Sequence, residues 1–255
     1  MAFSINTNLG AMSLFQGISK SRSKMFQSLE RLSSGIRINR ASDGPADLVI
    51  SEQLRSQIAG LNQEIENVSA NINRYQYASS SVGQLRSKLT ELRTLAIGAA
   101  NEGGNSDAAQ AAYEAAAVAT TAGYNHAINT AEYNGKNILD GSEGSLAAVS
   151  TLDDIDLSTA EAAEDSIAMI DAAIAEVDQV QVSLGAIQAN DLESRRASLE
   201  VTKSNLISAE SNLRDADYAA EYTNFIAESF KLKASVMLLA HSNIGASSVL
   251  KLFGQ

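Results

Sequence analysis

From Ala46 to Asn101 large apolar side chains recur in alternating steps of four and three: Leu54, Ile58, Leu61, Ile65, Val68, Ile72 and Tyr75. After a break at Ser79 the pattern resumes through Val82, Leu85, Leu89, Leu92 and Ala96. A repeat of 3.5 residues places all of them on one stripe of a helix, the signature of a coiled-coil seam. A helix over 46–101 would be roughly 84 Å long at about 1.5 Å per residue, several times the usual globular helix. A single stripe of that length needs an equally long partner. Residues 159–213 supply one: Ile167, Ile170, Ile174, Val177, Leu184 and Ile187 form a half-seam, and Leu192, Leu199, Leu206 and Leu213 then recur every seventh position. Ser158 or Thr159 is placed to cap this second helix, with Glu161 and Glu164 in its first turns, where the helix dipole favours acids. The two segments predict a long antiparallel hairpin of coiled-coil-like helices.

Between them, Asn101-Glu102-Gly103-Gly104 ends the first helix. A short alanine-rich helix then runs over 106–127, starting at Ser106 or Asp107. Its few large apolar residues, Tyr113, Val118 and Tyr124, require it to pack either closely or weakly. Asn134-Gly135 and Asp140-Gly141 favour tight turns, so residues 132–158 read as a β-hairpin region. Only 5% of the chain is aromatic, there is no Trp, and Pro45 is the single proline. Such a composition suits helical seams better than a thick globular core.

The two ends differ from the rod. Residues 6–32 read as a helix, capped by Asn6 or Thr7, with Leu9, Met12, Phe15, Ile18, Met25, Phe26, Leu29 and Leu32 on a broad face. Residues 219–253 read as another, with Tyr222, Phe225, Ile226, Phe230, Val236, Leu239, Leu250 and Phe253 distributed around it, so more than one side must be buried. The matching lengths suit burial of the two ends against each other. Polar connectors join ends to rod. Residues 33–44 follow Arg31 and contain Arg37, Arg40 and Asp43, while 214–218 contain Arg214, Asp215 and Asp217. If both hairpins are antiparallel the connectors meet, bringing Arg31, Arg37 and Arg40 near the three aspartates. The expected fold is mostly α, with a terminal helix pair (1–45 plus 214–255) and a rod (46–213).

Formal net charge is −11, and from Asn137 to Ser194 there is no Lys or Arg, which argues against a nucleic-acid partner. The basic first 40 residues are compatible with an anionic membrane or an export apparatus, and more plainly with a solvated helix face. With no cysteine, disulfide and thiolate chemistry are excluded. No run of about 18 apolar residues exists to span a bilayer, and Met1–Gly10 has no apolar core of a secretory signal. By these rules the protein is cytoplasmic or leaves the cell without a leader. His126 and His241 stand far apart, and Asp153-Asp154-Ile155-Asp156 lacks the glycine and glutamate of a calcium loop. Gly103-Gly104 has no phosphate-loop lysine. No cofactor or metal is expected, and nothing assembles a nucleophile, its base and an oxyanion site, so an enzyme or small-molecule binding module is the least supported class.

The run Leu29-Glu30-Arg31-Leu32-Ser33-Ser34-Gly35-Ile36-Arg37-Ile38-Asn39-Arg40-Ala41-Ser42-Asp43-Gly44-Pro45-Ala46 closely resembles the N-terminal signature of bacterial flagellin. Ile5-Asn6-Thr7-Asn8, Ile58-Ala59-Gly60-Leu61, Tyr133–Gly141 and Arg214–Ala219 resemble the same family. The likeness covers both ends and omits the variable outer domain that many flagellins insert. It implies a structural subunit that polymerises into the flagellar filament for swimming, with the terminal helices paired inside it and ordered on assembly. A junction protein between hook and filament, from the same superfamily, is the alternative, which copy number would separate. The resemblance further implies secretion to the extracellular flagellum without a cleavable signal peptide. It also implies self-association and dealings with the export apparatus, an export chaperone, and cap and junction proteins. Flagellins detected by Toll-like receptor 5 carry Gln-Arg-x-Arg-Glu-Leu on the long helix. Here the positions hold Thr90-Glu91-Leu92-Arg93-Thr94-Leu95: Arg93 and Leu95 match, Glu91 reverses a charge, and poor recognition is expected.

Overall fold

The computed structural model describes the backbone of residues 8–101, 103–153 and 155–254, and the side chains of these outside 243–253. It contains two compact units, residues 61–202 and residues 1–60 with 203–255. The helix α2 (Pro45–Ala99) and the helix α5 (Glu193–Arg214) each contribute to both.

In the unit 61–202, α2 runs on without interruption through Ser79. The gap in the apolar stripe is filled by Ala78, which is fully buried, while the Ser79 hydroxyl accepts a 2.7 Å hydrogen bond from Gln181 Nε2. Ala78, Val82, Leu85, Leu89, Leu92, Ala96 and Ala99 form the α2 side of the core, and Ala163, Ile170, Ala173, Val177 and Leu184 of α4 (Ala160–Ala186) face into the same cluster. The antiparallel register is marked by ion pairs one heptad apart: Arg86 Nε to Asp178 at 2.5 Å and Arg93 Nε to Asp171 at 2.5 Å. Thr159 caps α4, accepting from the Ala162 N–H.

The partner helix expected over 159–213 is not uniform. Between α4 and α5 lies a six-residue π-helical segment, Ile187–Leu192. The cause is legible in the spacing. Ala163, Ile170, Val177 and Leu184 recur every seven residues, as do Leu192, Leu199, Leu206 and Leu213, but Leu184 and Leu192 are eight apart. A π turn absorbs one extra residue, so the stripe regains its face after the insertion. No α5 residue is buried.

The alanine-rich helix α3 (Asp107–Asn129), capped by Ser106, packs closely rather than weakly. Gly98 of α2 lies under the Tyr113 ring, where an added Cβ would stand 3.0 Å from ring carbons. Ala117, Tyr124 and Ile128 are buried, whereas Val118 faces out. The β-hairpin region is mostly irregular. Strands β1 (Glu132–Tyr133) and β2 (Lys136–Asn137) pair antiparallel around Asn134 (φ 53°) and Gly135 (φ 74°), the two left-handed residues a type I′ turn requires. After a single bridge between Asp140 and Ala148, the segment 149–158 is held by polar side chains. Tyr124 Oη donates to the Ser150 carbonyl at 3.1 Å, Asn125 makes two bonds to the Leu152 backbone, and Gln110 Nε2 donates to the Leu157 carbonyl at 2.6 Å. Burial, with the Glu176 carboxylate nearby, pushes the Tyr124 phenol up to about 12.

In the other unit, α1 (Leu9–Ser34) pairs with α6 (Tyr218–Phe253). The expected start at Asn6 or Thr7 lies outside the described residues, and Asn8 caps α1 by accepting from the Ala11 N–H. Gly35 ends it in the left-handed conformation (φ 72°) with its N–H on the Arg31 carbonyl, a position where any side chain would be strained. Asp217 caps α6 through the Ala219 and Ala220 amides.

Candidate assembly interface

The terminal pair is antiparallel: Ser28 Oγ donates to Glu221 Oε2 at 2.9 Å, and at the far end Asn8 Nδ2 donates to Ser242 Oγ at 3.1 Å. At its seam the expectation of mutual apolar burial holds only in part. The buried residues of α1 are Ser21 and Ser28, and opposite them Glu221 and Glu228 are buried. Glu221 also takes Arg31 Nη1 at 2.8 Å. Glu228 takes Lys231 Nζ at 2.9 Å, and that ammonium, with the Ser21 hydroxyl, holds its carboxyl below the usual range. Ile18, Leu32, Phe225, Ile226 and Leu239 are half-buried at or beside the seam.

The larger apolar residues point away. Leu9, Met12, Phe15, Phe26 and Leu29 of α1 are exposed, Phe15 at 65%. So are Tyr222, Phe230 and Val236 of α6, Phe230 at 69%. Leu250 and Phe253 lie outside the described side chains. Monomeric proteins rarely leave so many large apolar groups together in water unless they mark an interaction surface.

The connectors meet through backbone. Ile36 and Asp215 form an antiparallel bridge, the Arg37 N–H donates to the Arg214 carbonyl at 2.7 Å, and the Ala216 N–H donates to the Gly35 carbonyl at 3.0 Å. Ile38, in the same connector, is almost fully buried. Of the three arginines only Arg31 brings its charge near one of the aspartates, Asp43, and their ion pairs are made elsewhere. Arg31 binds Glu221, Arg40 binds Glu30 at 3.0 Å, and Arg37 binds the Leu213 carbonyl at 2.6 Å and Asp47 at 3.5 Å. Arg214 instead reaches Glu52 at 3.0 Å. Asp43, Asp217 and Asp215 are taken up locally. Asp43 accepts from the Asn39 and Arg40 amides, and the Arg40 N–H is the main reason its carboxyl lies below the ordinary aspartate value. Asp217 caps α6, and Asp215 accepts from Ser211 Oγ at 2.5 Å. A short side chain next to free amides satisfies them at less entropic cost than a long arginine crossing to it.

On α2, Thr90 and Glu91 are exposed, Leu95 is half-buried against the core, and Arg93 is engaged with Asp171. Among the described residues no three metal-ligating side chains come together, and no helix is long and apolar enough to cross a membrane.

Comparison with known proteins places this architecture. The bacterial flagellin N-terminal helical region matches residues 5–144, and the bacterial flagellin C-terminal helical region matches residues 167–253. The chain belongs to the bacterial flagellin family. It is 33% identical to the flagellin of Halalkalibacterium halodurans over 97% of this chain and 98% of that one. It is 29% identical to the flagellin of Bacillus subtilis strain 168, over 97% and 99%, and 28% identical to flagellin FlaB1 of Treponema pallidum, over the same shares. As a flagellin of short form, the chain is a structural subunit that polymerises into the bacterial flagellar filament for swimming motility. Nothing among the relatives favours the junction-protein reading.

Proposed function

We propose that copies of this flagellin assemble through the terminal helices, with Leu9, Met12, Phe15, Phe26, Leu29, Tyr222, Phe230 and Val236 on their outward faces, and with Ile18, Leu32, Phe225, Ile226 and Leu239 beside the seam, together with Leu250 and Phe253, contributing to the same assembly. The exposed aromatic and aliphatic face, on helices whose most buried seam positions are polar, is the observation that carries the reading. Residues 1–45 with 214–255 would form the inner tube and 46–213 the rod outside it. The connector residues Arg31, Arg37, Arg40, Asp43, Arg214, Asp215 and Asp217 would couple the two. Burial of each large apolar side chain against a neighbour contributes about 2 kcal/mol, and the ends gain order as the polymer forms. Introducing charge into this face with Phe26→Glu and Phe230→Glu should leave a helical monomer that no longer extends seeds. Normal filaments from that variant would overturn the assignment.

Family membership and the chemistry of the chain support the remaining roles in this reading. It works as a structural protein with no enzymatic activity or cofactor. It reaches the extracellular filament through the flagellar export apparatus without a cleavable signal, accompanied by an export chaperone, and it meets cap and junction proteins at the filament's ends. Toll-like receptor 5 detects it poorly. Support for the last point is the exposed Glu91, which reverses a charge, and Arg93, which is engaged by Asp171. An interface arginine is commonly worth about 2 kcal/mol, so Thr90→Gln with Glu91→Arg and Thr94→Glu should raise receptor activation roughly 30-fold. A native monomer already as potent as flagellins with the full motif would refute this.

A further inference from the structure

The seam of the terminal pair repeats one polar layer twice. Seam positions in α1 run Leu14, Ile18, Ser21, Met25, Ser28 and Leu32, and those in α6 run Glu221, Phe225, Glu228, Leu232, Ser235, Leu239 and Ser242, in steps of three and four. Ser28 and Arg31 serve Glu221. One heptad earlier in α1 and one heptad later in α6, Ser21 and Lys231 serve Glu228, with Lys24 nearby. Both carboxylates are therefore buried with a hydroxyl and a cation.

An all-apolar antiparallel seam tolerates sliding by whole heptads, because every layer looks like the next. These layers do not. If α1 slides by one heptad so that Ser21 faces Glu221, then Lys24 takes the place of Arg31 and that layer is satisfied. Glu228, however, now faces Leu14 and loses the Ser21 hydroxyl and the nearby Lys24, keeping only Lys231 of its own helix. Sliding the other way sets Ser28 against Glu228 and Ser21 against Ser235, and leaves Glu221 opposite Gly35 at the end of α1. Each slip takes the α1 partners from a different carboxylate, and a buried carboxylate that loses a hydrogen-bond partner is unfavourable.

We propose that the Ser28–Glu221 and Ser21–Glu228 layers are the register determinants of the terminal helix pair, each glutamate forbidding one of the two single-heptad slips. By fixing register they also fix how the exposed residues of α1 and α6 line up in one composite face. That consequence rests on the assembly reading above, whereas the register itself does not.

The chain has no cysteine, so introduced pairs report register directly. Met25 and Phe225, both half-buried, lie in the layer between the two polar ones. In the full chain, Met25→Cys with Phe225→Cys reads the native register. Ile18→Cys with Phe225→Cys reads the slip that Glu228 forbids, and Leu32→Cys with Phe225→Cys reads the slip that Glu221 forbids. Intramolecular disulfide would be quantified by peptide mass spectrometry at neutral pH, in monomer and in assembled protein. With the natural glutamates the native pair should form at least about tenfold more than either slipped pair, the ratio expected from one lost hydrogen bond to a charged group. Glu228→Leu should raise only the 18–225 disulfide, and Glu221→Leu only the 32–225 disulfide, each to within about threefold of the native pair. Register unchanged in both leucine variants, both slips opened equally by either one, or no preference for the native pair in the unaltered seam would each overturn the proposal.

Discussion

The stability of the rod should follow depth in its seam rather than side-chain type, and three substitutions separate the two. Leu89 is fully buried at the centre of the α2–α3–α4 cluster. Leu206 of α5 is half-buried in a stretch with no buried residue. Val182 of α4 is 71% exposed. Leu89→Ala removes buried carbons and leaves a cavity that neighbouring helices close only in part, for a cost of about 3 kcal/mol. A unit the size of residues 61–202 unfolds with an entropy of roughly 0.3 kcal/mol/K at about 2.1 cal/mol/K per residue, so its melting temperature should fall by about 10 °C. Leu206→Ala, which loses half the burial and opens no closed cavity, should cost about 1 kcal/mol. Val182→Ala should stay within about 0.5 kcal/mol. Urea titration of the full chain followed by far-UV circular dichroism measures all three, with thermal melts alongside. If Leu89→Ala costs no more than Leu206→Ala, the three-helix cluster is not where the rod's stability lies.

Other expectations follow from single contacts. Gly98→Ala forces a Cβ to 3.0 Å from the Tyr113 ring and should destabilise the chain by about 1–3 kcal/mol through overpacking, measured by the same titration. Tyr124, held at about 12 when folded against an ordinary 10.0, ionises first in the unfolded chain. Stability should therefore begin to fall as pH rises through about 10 and level off beyond about 12, an alkaline loss that Tyr124→Phe should remove. Asp43→Ala deprives the Asn39 and Arg40 amides of their acceptor, and Arg37→Ala removes the bonds to Leu213 and Asp47. Either should change the filament's supercoil or melting temperature. Because the Asp43 carboxyl is depressed, its contribution is present above the ordinary aspartate range and lost as pH falls through its folded value. Unaltered filament shape, melting and motility in both variants would remove the connectors from the account.

The rod was legible because its apolar stripe repeats in steps of three and four over many turns, while apolar residues off it, such as Ile97 and Val182, are isolated. Leu85, Leu89 and Leu92 could face only one way, and the Val177–Leu184 stripe announced the partner. The π-helical segment was legible in principle from the eight-residue interval between Leu184 and Leu192. The terminal pair was harder. Large apolar residues surround α6, so no stripe singles out a seam, and hydrophobicity alone points the wrong faces inward. The signal that would have found the true seam is the polar repeat: Glu221, Glu228, Ser235 and Ser242 at sevens, answered by Ser21 and Ser28. Connector pairing was not readable, because Arg37 and Arg40 have other acids within reach, Asp47 and Glu30, while local amides take up Asp43 and Asp217 and the Ser211 hydroxyl takes up Asp215.

The central claim is that the terminal segments, and not the rod, join one copy to the next. Electron microscopy of purified full-length chain and of residues 41–218, each mixed with short filament seeds, tests it directly. Full-length protein should extend the seeds, and the truncated chain should remain a soluble helical monomer at any concentration. Filaments grown from residues 41–218 would contradict the account.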